Sequence, residues 1–261
     1  MKLAVQEQML PGRTLQEKFE FAVEAGFDAI ELRGKGDFHF AGRLEELRQA
    51  RADGVVMPTV CVDMPHFIGD FDPAKRADAV RQLRSQLTVI AELGGIGVMT
   101  PASWGQFSRR LPPFEPPRSP EEDREVLAEA LGELGEHAAR NGVLIMLEPL
   151  NRYENHMVNT LAQAVELCAM DSIRVAADTY HMNIEEDDPC RALADAAPYL
   201  AHVQISESNR NQPGTGHIDW AAHLAVLDSI GYDGYLALEC RLRGEPETAL
   251  PQTAAFVRKF L

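Results

Sequence analysis

Four side chains with oxygen donors lie at or near the ends of short apolar segments of this sequence. They are, each with its segment, Glu148 (VLIML), Asp178 (IRVAA), Gln204 (HVQIS) and Glu239 (YLAL). Their spacings of 30, 26 and 35 residues are close to the roughly 30 residues of one strand-plus-helix unit. If the four segments are strands that end at one place, three carboxylates and an amide meet there. Such oxygen donors bind a hard divalent cation.

The elements that must position these side chains alternate along the chain. Apolar segments are followed by amphipathic stretches with helical periodicity, and the predicted strands are Lys2–Gln6, Ala29–Leu32, Thr59–Asp63, Gly97–Thr100, Leu144–Glu148, Arg174–Asp178, His202–Ser206 and Tyr235–Glu239. Eight strand-helix units in 261 residues match a closed barrel of about 250 residues. The sequence therefore predicts the α/β class, as a single (β/α)8 TIM barrel domain over residues 1–261. An open doubly wound sheet is the less favoured alternative.

The predicted helices have recognisable starts. Three pairs of residues fit the capping box, in which a Ser or Thr and a Glu or Gln three residues later satisfy each other's backbone donors. These pairs are Thr14 with Glu17, Ser119 with Glu122, and Thr160 with Gln163. Asp72-Pro73 and Asp188-Pro189 place a capping side chain before a first-turn proline.

Composition narrows the functional classes. With 25 Lys and Arg against 40 Asp and Glu, the formal net charge is −15, which argues against nucleic acid as a partner because such binding depends on basic contacts to phosphates. The four cysteines are scattered without a CxxC pair, and no segment approaches the ~18 apolar residues of a membrane span. We expect a cytoplasmic protein with reduced thiols and no membrane contact.

Three carboxylates at one barrel mouth repel each other unless a cation lies among them. Oxygen donors and an amide favour Mn²⁺, with Mg²⁺ or Co²⁺ also fitting, over a structural zinc ion. Three histidines lie close by in sequence, and one of them, His202, points the same way as Gln204 in a strand. One divalent ion, Mn²⁺ first, is therefore the predicted cofactor.

The irregular segment Trp104–Pro117 follows the fourth predicted strand, and its prolines exclude regular structure. A loop of this length is typically functional, either as a lid over the site or as a subunit contact. Trp104 and Phe107 offer aromatic faces to a sugar, or else belong to the core. His66, at the end of the third strand, is a further candidate for contact with a substrate.

Four segments resemble those of the xylose isomerase-like TIM barrel superfamily of sugar phosphate isomerases and epimerases. They are LEPLNRYENH (147–156), ADTYHMNIEE (177–186), HVQISESNR (202–210) and LECR (238–241). The chain is most similar to ketose 3-epimerases of the D-tagatose/D-psicose type, and next to hydroxypyruvate isomerases. The resemblance implies that Glu148, Asp178, position 204 and Glu239 hold the metal. Position 204 is Gln. The hydroxypyruvate isomerases also have Gln at this position, whereas the epimerases usually have His.

The same resemblance implies roles around a bound sugar. His181, Arg210 and Glu154 would contact the substrate near its carbonyl end, while Glu148 and Glu239 would remove and return a proton from opposite faces. The implied function is metal-dependent 3-epimerisation of a free ketose through an enediolate by a homo-oligomer, a dimer or tetramer. An Arg and a His beside a metal also suit a polarised carbonyl on chemical grounds alone.

Other functions remain open from the sequence. Isomerisation of a small 2-hydroxy aldehyde or of a hydroxypyruvate-like acid is the first alternative because of Gln204. Isomerisation of a sugar phosphate is also an alternative. A metal-dependent nuclease for abasic DNA shares this fold, but the charge of −15 and the small number of histidines disfavour it. A sugar-binding protein without activity is a further possibility, since a fold alone does not define a function.

Overall fold

The computed structural model describes residues 1–105 and 115–261. Its eight strands are β1 (Lys2–Gln6), β2 (Ala29–Lys35), β3 (Thr59–Asp63), β4 (Gly97–Pro101), β5 (Leu144–Glu148), β6 (Ile173–Asp178), β7 (Leu200–Ile205) and β8 (Tyr235–Leu238). Each strand pairs in parallel with the next, and β1 pairs with β8 to close the ring. The predicted (β/α)8 TIM barrel is confirmed.

Helices in the described residues occupy the connections between strands. They are α1 (Leu15–Glu24), α2 (His39–Gly42), α3 (Leu44–Ala52), α4 (Pro73–Glu92), α5 (Pro120–Asn141), α6 (Leu161–Val165), α7 (Thr179–Glu185), α8 (Pro189–Ala196), α9 (Trp220–Ser229) and α10 (Pro246–Val257). All three predicted capping boxes form, at the starts of α1, α5 and α6. The local signals in the sequence therefore locate these helix starts correctly.

Three strands, β1, β3 and β5, have the predicted bounds, and the boundaries of the other five differ from the prediction by one to three residues. The strand β2 continues to Lys35 because Arg33 to Lys35 pair with β3. The strand β8 ends at Leu238, so Glu239 stands just beyond it, although its N–H still donates to the carbonyl of Ile205 at 3.2 Å. Glu239 therefore sits on the rim of the barrel with its backbone still tied to β7.

Side chains along each strand alternate between the two faces of the barrel wall. Residues of one face, such as Ile30 and Val203, join the large hydrophobic cluster that includes the surrounding helices. Residues of the other face form two small clusters, made of Ala4, Ala29 and Ala237, and of Met99, Met146 and Ala176. Glu148, Asp178 and Glu239 each follow such an interior residue by two positions. The alternation therefore turns them inward at the carboxyl edge of the barrel.

Part of the segment proposed as a lid, with Phe107, lies outside the described residues, which resume at Glu115. The lid and subunit-contact hypotheses for Trp104–Pro117 therefore stay predictions. None of the helices in residues 1–105 and 115–261 has the length and apolar character needed to cross a bilayer.

A partly buried ion pair at the carboxyl edge of β1 is expected to make the stability of the protein depend on pH. Arg43 donates two hydrogen bonds to the carboxylate of Glu7, at 2.9 and 2.7 Å. Burial alone would raise the pKa of Glu7, but Arg43, a backbone N–H and Lys18 bring it below its ordinary value. A carboxyl with a depressed pKa in the folded state stabilises the protein above its unfolded pKa, and this contribution is lost as pH falls through the folded value.

We therefore expect Glu7→Gln to lower the free energy of unfolding at pH 7 by about 2 kcal/mol, as for hydrogen bonds to charged groups. The difference from the wild type should shrink as pH falls below the unfolded pKa of a glutamate, about 4.3. Urea unfolding at several pH values measures this. Glu46→Gln is the matched control, because Glu46 pairs with the same arginine but is half exposed, and about 0–1 kcal/mol is expected from it. Equal losses in the two variants would contradict the assignment.

Candidate active site

A cavity of about 550 Å³ opens at the carboxyl ends of the strands. This volume is within the usual range for small-molecule sites. Its walls combine acidic and basic groups with apolar side chains, and the lining residues that bear on chemistry are Cys61, Trp104, Glu148, Glu154, Tyr180, His181, Arg210 and Glu239. Most of the residues that the sequence predicts to act on a substrate therefore share one cavity.

Three of the buried residues bring ligand-type atoms together. One donor atom from each of Glu148, Asp178 and His181 lies within 4.8 Å of the others. The strand β5 ends at Glu148, while Asp178 ends β6 and caps α7 by accepting a hydrogen bond from the backbone N–H of Tyr180 at 2.7 Å. The first turn of α7 then places His181 over the same point.

Arg210 links the carboxylates of Asp178 and Glu239. Its Nη1 donates to Oδ2 of Asp178, and its Nη2 lies 3.0 Å from Oε2 of Glu239. Although burial would raise it, the pKa of Asp178 is lowered, with Arg210 and His181 as the main causes. Asp178 is thus held as a carboxylate in a buried position.

The two candidate acid/base residues have perturbed pKa values. Burial, then the negative charges of Glu239 and Asp178, raise the pKa of Glu148 well above its ordinary value. Burial and the charge of Asp178 raise the pKa of Glu239 to about 7, with Arg210 acting in the opposite direction. Crowded carboxylates with such perturbed pKa values are typical of sites that bind a cation or transfer a proton.

His181 has a defined tautomer. Its Nδ1 accepts hydrogen bonds from the backbone N–H and the side-chain amide of Asn151, at 3.0 and 2.8 Å. Burial lowers the pKa of His181 to about 4, so the ring is neutral near pH 7. The single proton must then be on Nε2, which lies 3.7 Å from Glu148 Oε1. His181 is therefore built to donate a hydrogen bond into the site, which suits contact with a substrate oxygen better than ligation of a metal.

Asn151 also orients Glu154, the other predicted substrate contact of this loop. Its amide donates to Glu154 Oε1 at 2.9 Å, while its own Oδ1 accepts from the backbone N–H of Tyr153, which fixes the amide orientation. The second oxygen of Glu154 accepts from the indole N–H of Trp104 at 2.9 Å. Trp104 remains 58% exposed. It thus presents an aromatic surface at the mouth of the cavity.

The side chain of Gln204 bears on whether the oxygen donors of the site fit a metal ion. The register of β6 and β7 places it opposite Asp178, and it is fully buried. Its Nε2 donates to Glu31 at 3.0 Å, whereas its Oε1 has no hydrogen-bond partner among the described residues. A buried amide oxygen without a donor is costly unless a further group satisfies it. Together with the adjacent carboxylates, it provides the oxygen donors that a divalent ion requires.

The loop that carries Arg210 is organised around a buried carboxylate. Glu207 accepts hydrogen bonds from three backbone N–H groups and from the indole of Trp220. Arg210 itself has a positive φ of 60°, a strained conformation for a side chain of this size. The Glu207 network holds that backbone in place and so keeps the guanidinium over the site.

His66 is the predicted substrate contact that stands apart. Its ring is 2.8 Å from Asp78 on α4 and does not line the cavity. Other residues with roles in the site went unnoticed in the sequence, namely Glu31, Asn151 and Glu207. An acidic residue inside an apolar strand segment, as at Glu31, was a usable signal. Asn151 and Glu207 carried none, since their partners are distant in sequence or lie in loops.

Comparisons with known proteins agree with this architecture. Residues 19–260 match the family described as xylose isomerase-like TIM barrel, and the chain belongs to that family. Over 263 residues it is 38% identical to 3-dehydro-D-guloside 4-epimerase of Escherichia coli (strain K12), covering 99% of both chains. The L-ribulose 3-epimerase of Mesorhizobium japonicum is 34% identical over 83% of this chain and 72% of its own length. These relatives are sugar epimerases, as the resemblance in the sequence predicts.

A solved structure is similar over nearly the whole chain. The apo form of 3-keto-D-glucoside 4-epimerase from E. coli superposes with a TM-score of 0.93 at 38% identity, covering 99% of each chain. This chain and the E. coli epimerase are therefore similar in backbone structure as well as in sequence.

Proposed function

We propose that this protein is a divalent-metal-dependent epimerase that inverts the carbon next to a ketone of a sugar. The observation that carries the proposal is a pair of glutamates, the buried Glu148 on β5 and the partly buried Glu239 after β8, which line one cavity from strands separated by two others. Inversion needs one group to take a proton and another to give one back on the other face. Two such groups with raised pKa values meet that need.

Four residues would hold the metal, namely Glu148, Asp178, Gln204 and Glu239. When bound, a divalent ion acts as a Lewis acid that makes the hydrogen next to a ketone more acidic. The oxygen-rich donor set favours Mn²⁺, with Mg²⁺ or Co²⁺ as alternatives.

The protein's own groups account for the proton transfers. One glutamate removes the proton from the carbon, and the electron pair moves onto the ketone oxygen to give an enediolate. Arg210 and the Nε2–H of His181 donate to the oxygens on which this negative charge develops. The other glutamate then protonates the same carbon from the opposite face. The product has the same atoms as the substrate, because one glutamate takes a proton from the carbon and the other gives a proton to it.

For the substrate we propose a 3-keto glycoside that is inverted at C4. This choice is supported by identity to the E. coli 4-epimerase from end to end, whereas the L-ribulose 3-epimerase aligns with only 72% of its own length. A free ketose inverted at C3 is the second candidate, supported by the several ketose 3-epimerases among the relatives. In both cases the reacting carbon adjoins a ketone, so the same residues would carry out the proton transfers.

The two candidates are separated by a solvent-exchange experiment. The Mn²⁺-loaded protein is incubated in D₂O with 3-keto glycosides, free ketoses and hydroxypyruvate, and the products are followed by NMR. We expect deuterium at C4 with appearance of the C4 epimer of a 3-keto glycoside. Deuterium at C3 of a ketose would assign the second candidate. Label accompanied by aldose or semialdehyde formation would instead identify an isomerase.

Metal removal is expected to abolish turnover. After exhaustive chelation we expect the rate to fall by at least about 10³-fold, because the Lewis acid supplies several kcal/mol of charge stabilisation. Added Mn²⁺ or Co²⁺ should restore the rate and raise the thermal unfolding midpoint, since a ligand of the native state stabilises it. Protein carried through the same dialysis without chelator is the control. An unchanged rate in protein shown by elemental analysis to be metal-free would contradict the proposal.

A further inference from the structure

A buried polar network crosses the inside of the barrel below the cavity. Glu31 on β2 is fully buried, and its Oε1 accepts from Gln204 Nε2 on β7 at 3.0 Å. Its Oε2 accepts from Thr59 Oγ1 at 3.1 Å and lies 2.9 Å from His202 Nε2. None of these contacts is local, since 173 residues separate Glu31 from Gln204.

Both carboxylate oxygens of Glu31 accept hydrogen bonds from donors, Oε1 from Gln204 Nε2 and Oε2 from Thr59 Oγ1. A carboxylate only accepts hydrogen bonds. Every group that faces it must therefore present a donor.

This requirement decides how the amide of Gln204 is turned. An amide has an oxygen that accepts and an NH₂ that donates, and a rotation of 180° exchanges them. With the oxygen toward Glu31, two acceptors would face each other in a buried place at a substantial cost. With the NH₂ toward Glu31, Oε1 is directed away from it, and this oxygen has no donor within the described part of the chain.

We propose that Glu31 is a positioning residue for the metal site: it holds the amide of Gln204 so that the oxygen, and not the NH₂, is offered to the metal. A cation is coordinated by an amide oxygen and repelled by an NH₂ group. The inference rests on the proposed function, in which Gln204 is a ligand. It explains why a charged residue occupies an inward-facing strand position two residues after Ala29, which belongs to the small apolar cluster inside the barrel.

The test is Mn²⁺ binding to metal-free, full-length protein, followed by the EPR signal of free Mn²⁺ at a temperature well below unfolding. For Glu31→Gln we expect the affinity to fall by about 10- to 100-fold, the usual effect of removing the partner of a metal ligand. The new amide can face Gln204 with either end, so the orientation of Gln204 is no longer imposed. A Mn²⁺ affinity within about threefold of the wild type would overturn the assignment, because loss of the partner of a metal ligand usually has a much larger effect.

Two further variants separate positioning from a general loss of structure. Thr59→Val removes a different hydrogen bond to the same carboxylate without touching Gln204, and it should lower the unfolding midpoint while leaving Mn²⁺ affinity unchanged. Glu31→Gln combined with Gln204→Glu should regain wild-type affinity or more, because a carboxylate has an oxygen on both sides. A Thr59→Val variant as weak as Glu31→Gln, or a double variant that stays weak, would show a structural role only.

If Glu31→Gln does not fold, Glu31→Asp keeps the charge but withdraws the acceptor by one methylene. We expect its Mn²⁺ affinity to fall by about threefold to tenfold, a smaller loss than complete removal of the partner. Wild-type affinity in this variant would overturn the inference. A wild-type protein that binds no Mn²⁺ would remove the metal site itself, which distinguishes failure of the proposed function from failure of the positioning role.

Discussion

Replacing either candidate acid/base residue, as Glu148→Gln or Glu239→Gln, is expected to reduce epimerisation by about 10³-fold or more, within the range for loss of general acid–base catalysis. Each glutamine preserves shape and an oxygen donor but can neither take nor deliver a proton. Both side chains line the same cavity, and each is needed once per turnover. The loss should therefore be similar in the two variants when net inversion is measured.

Exchange with solvent should distinguish the two variants from each other. In either variant one glutamate remains, and it still reaches the face of the sugar on its own side. Each variant should therefore exchange the hydrogen of one epimer with D₂O without inverting it, and the two variants should act on opposite epimers. NMR of both purified epimers with each variant measures this pattern.

Glu166→Gln serves as the control, because Glu166 is an exposed glutamate that pairs with Arg124, and neither residue lines the cavity. It should epimerise at the wild-type rate. Near-wild-type inversion by Glu148→Gln or Glu239→Gln would remove that residue from the mechanism. Exchange of both epimers by one variant would show that a single residue serves both faces.

Replacing Arg210 by lysine is expected to lower kcat/KM by about 10²-fold, comparable with the loss of one donor to a developing oxyanion. The guanidinium reaches Asp178 and Glu239 at once through two different nitrogens. A lysine ammonium is a compact charge that cannot reproduce this fork. Either the buried carboxylate of Asp178 or the partly buried one of Glu239 would then lose its partner, and the substrate oxygens would lose a directed donor.

Steady-state kinetics and the unfolding midpoint should be measured together for this variant. Arg152→Lys is the matched control, since Arg152 makes a similar forked contact with Glu185 in a more exposed position and does not line the cavity. Arg152→Lys is expected to retain wild-type kinetics. Equal kinetic losses in the two variants would indicate that arginine at position 210 supports the structure and takes no part in the reaction.

Much of this molecule was predictable from sequence because the relevant interactions are local or periodic. Capping boxes join residues three apart, and all three form where the sequence places them. Strand positions followed from mainly apolar segments of four or five residues, with errors confined to their ends. In a closed parallel barrel the order of strands follows the order of the chain. The convergence of Glu148, Asp178 and Glu239 therefore followed from their spacing alone.

The tertiary structure decided what surrounds those carboxylates. The tautomer of His181 depends on Asn151, 30 residues away in sequence. The orientation of the Gln204 amide depends on Glu31, 173 residues away in sequence. Arg210 was predicted to contact a substrate, but its bridge between Asp178 and Glu239 depends on a loop held by Glu207. Sequence spacing specifies which strand end carries a group. The direction of each hydrogen bond depends on which donors and acceptors the folded barrel brings opposite one another, and that is set only when distant strands close the ring.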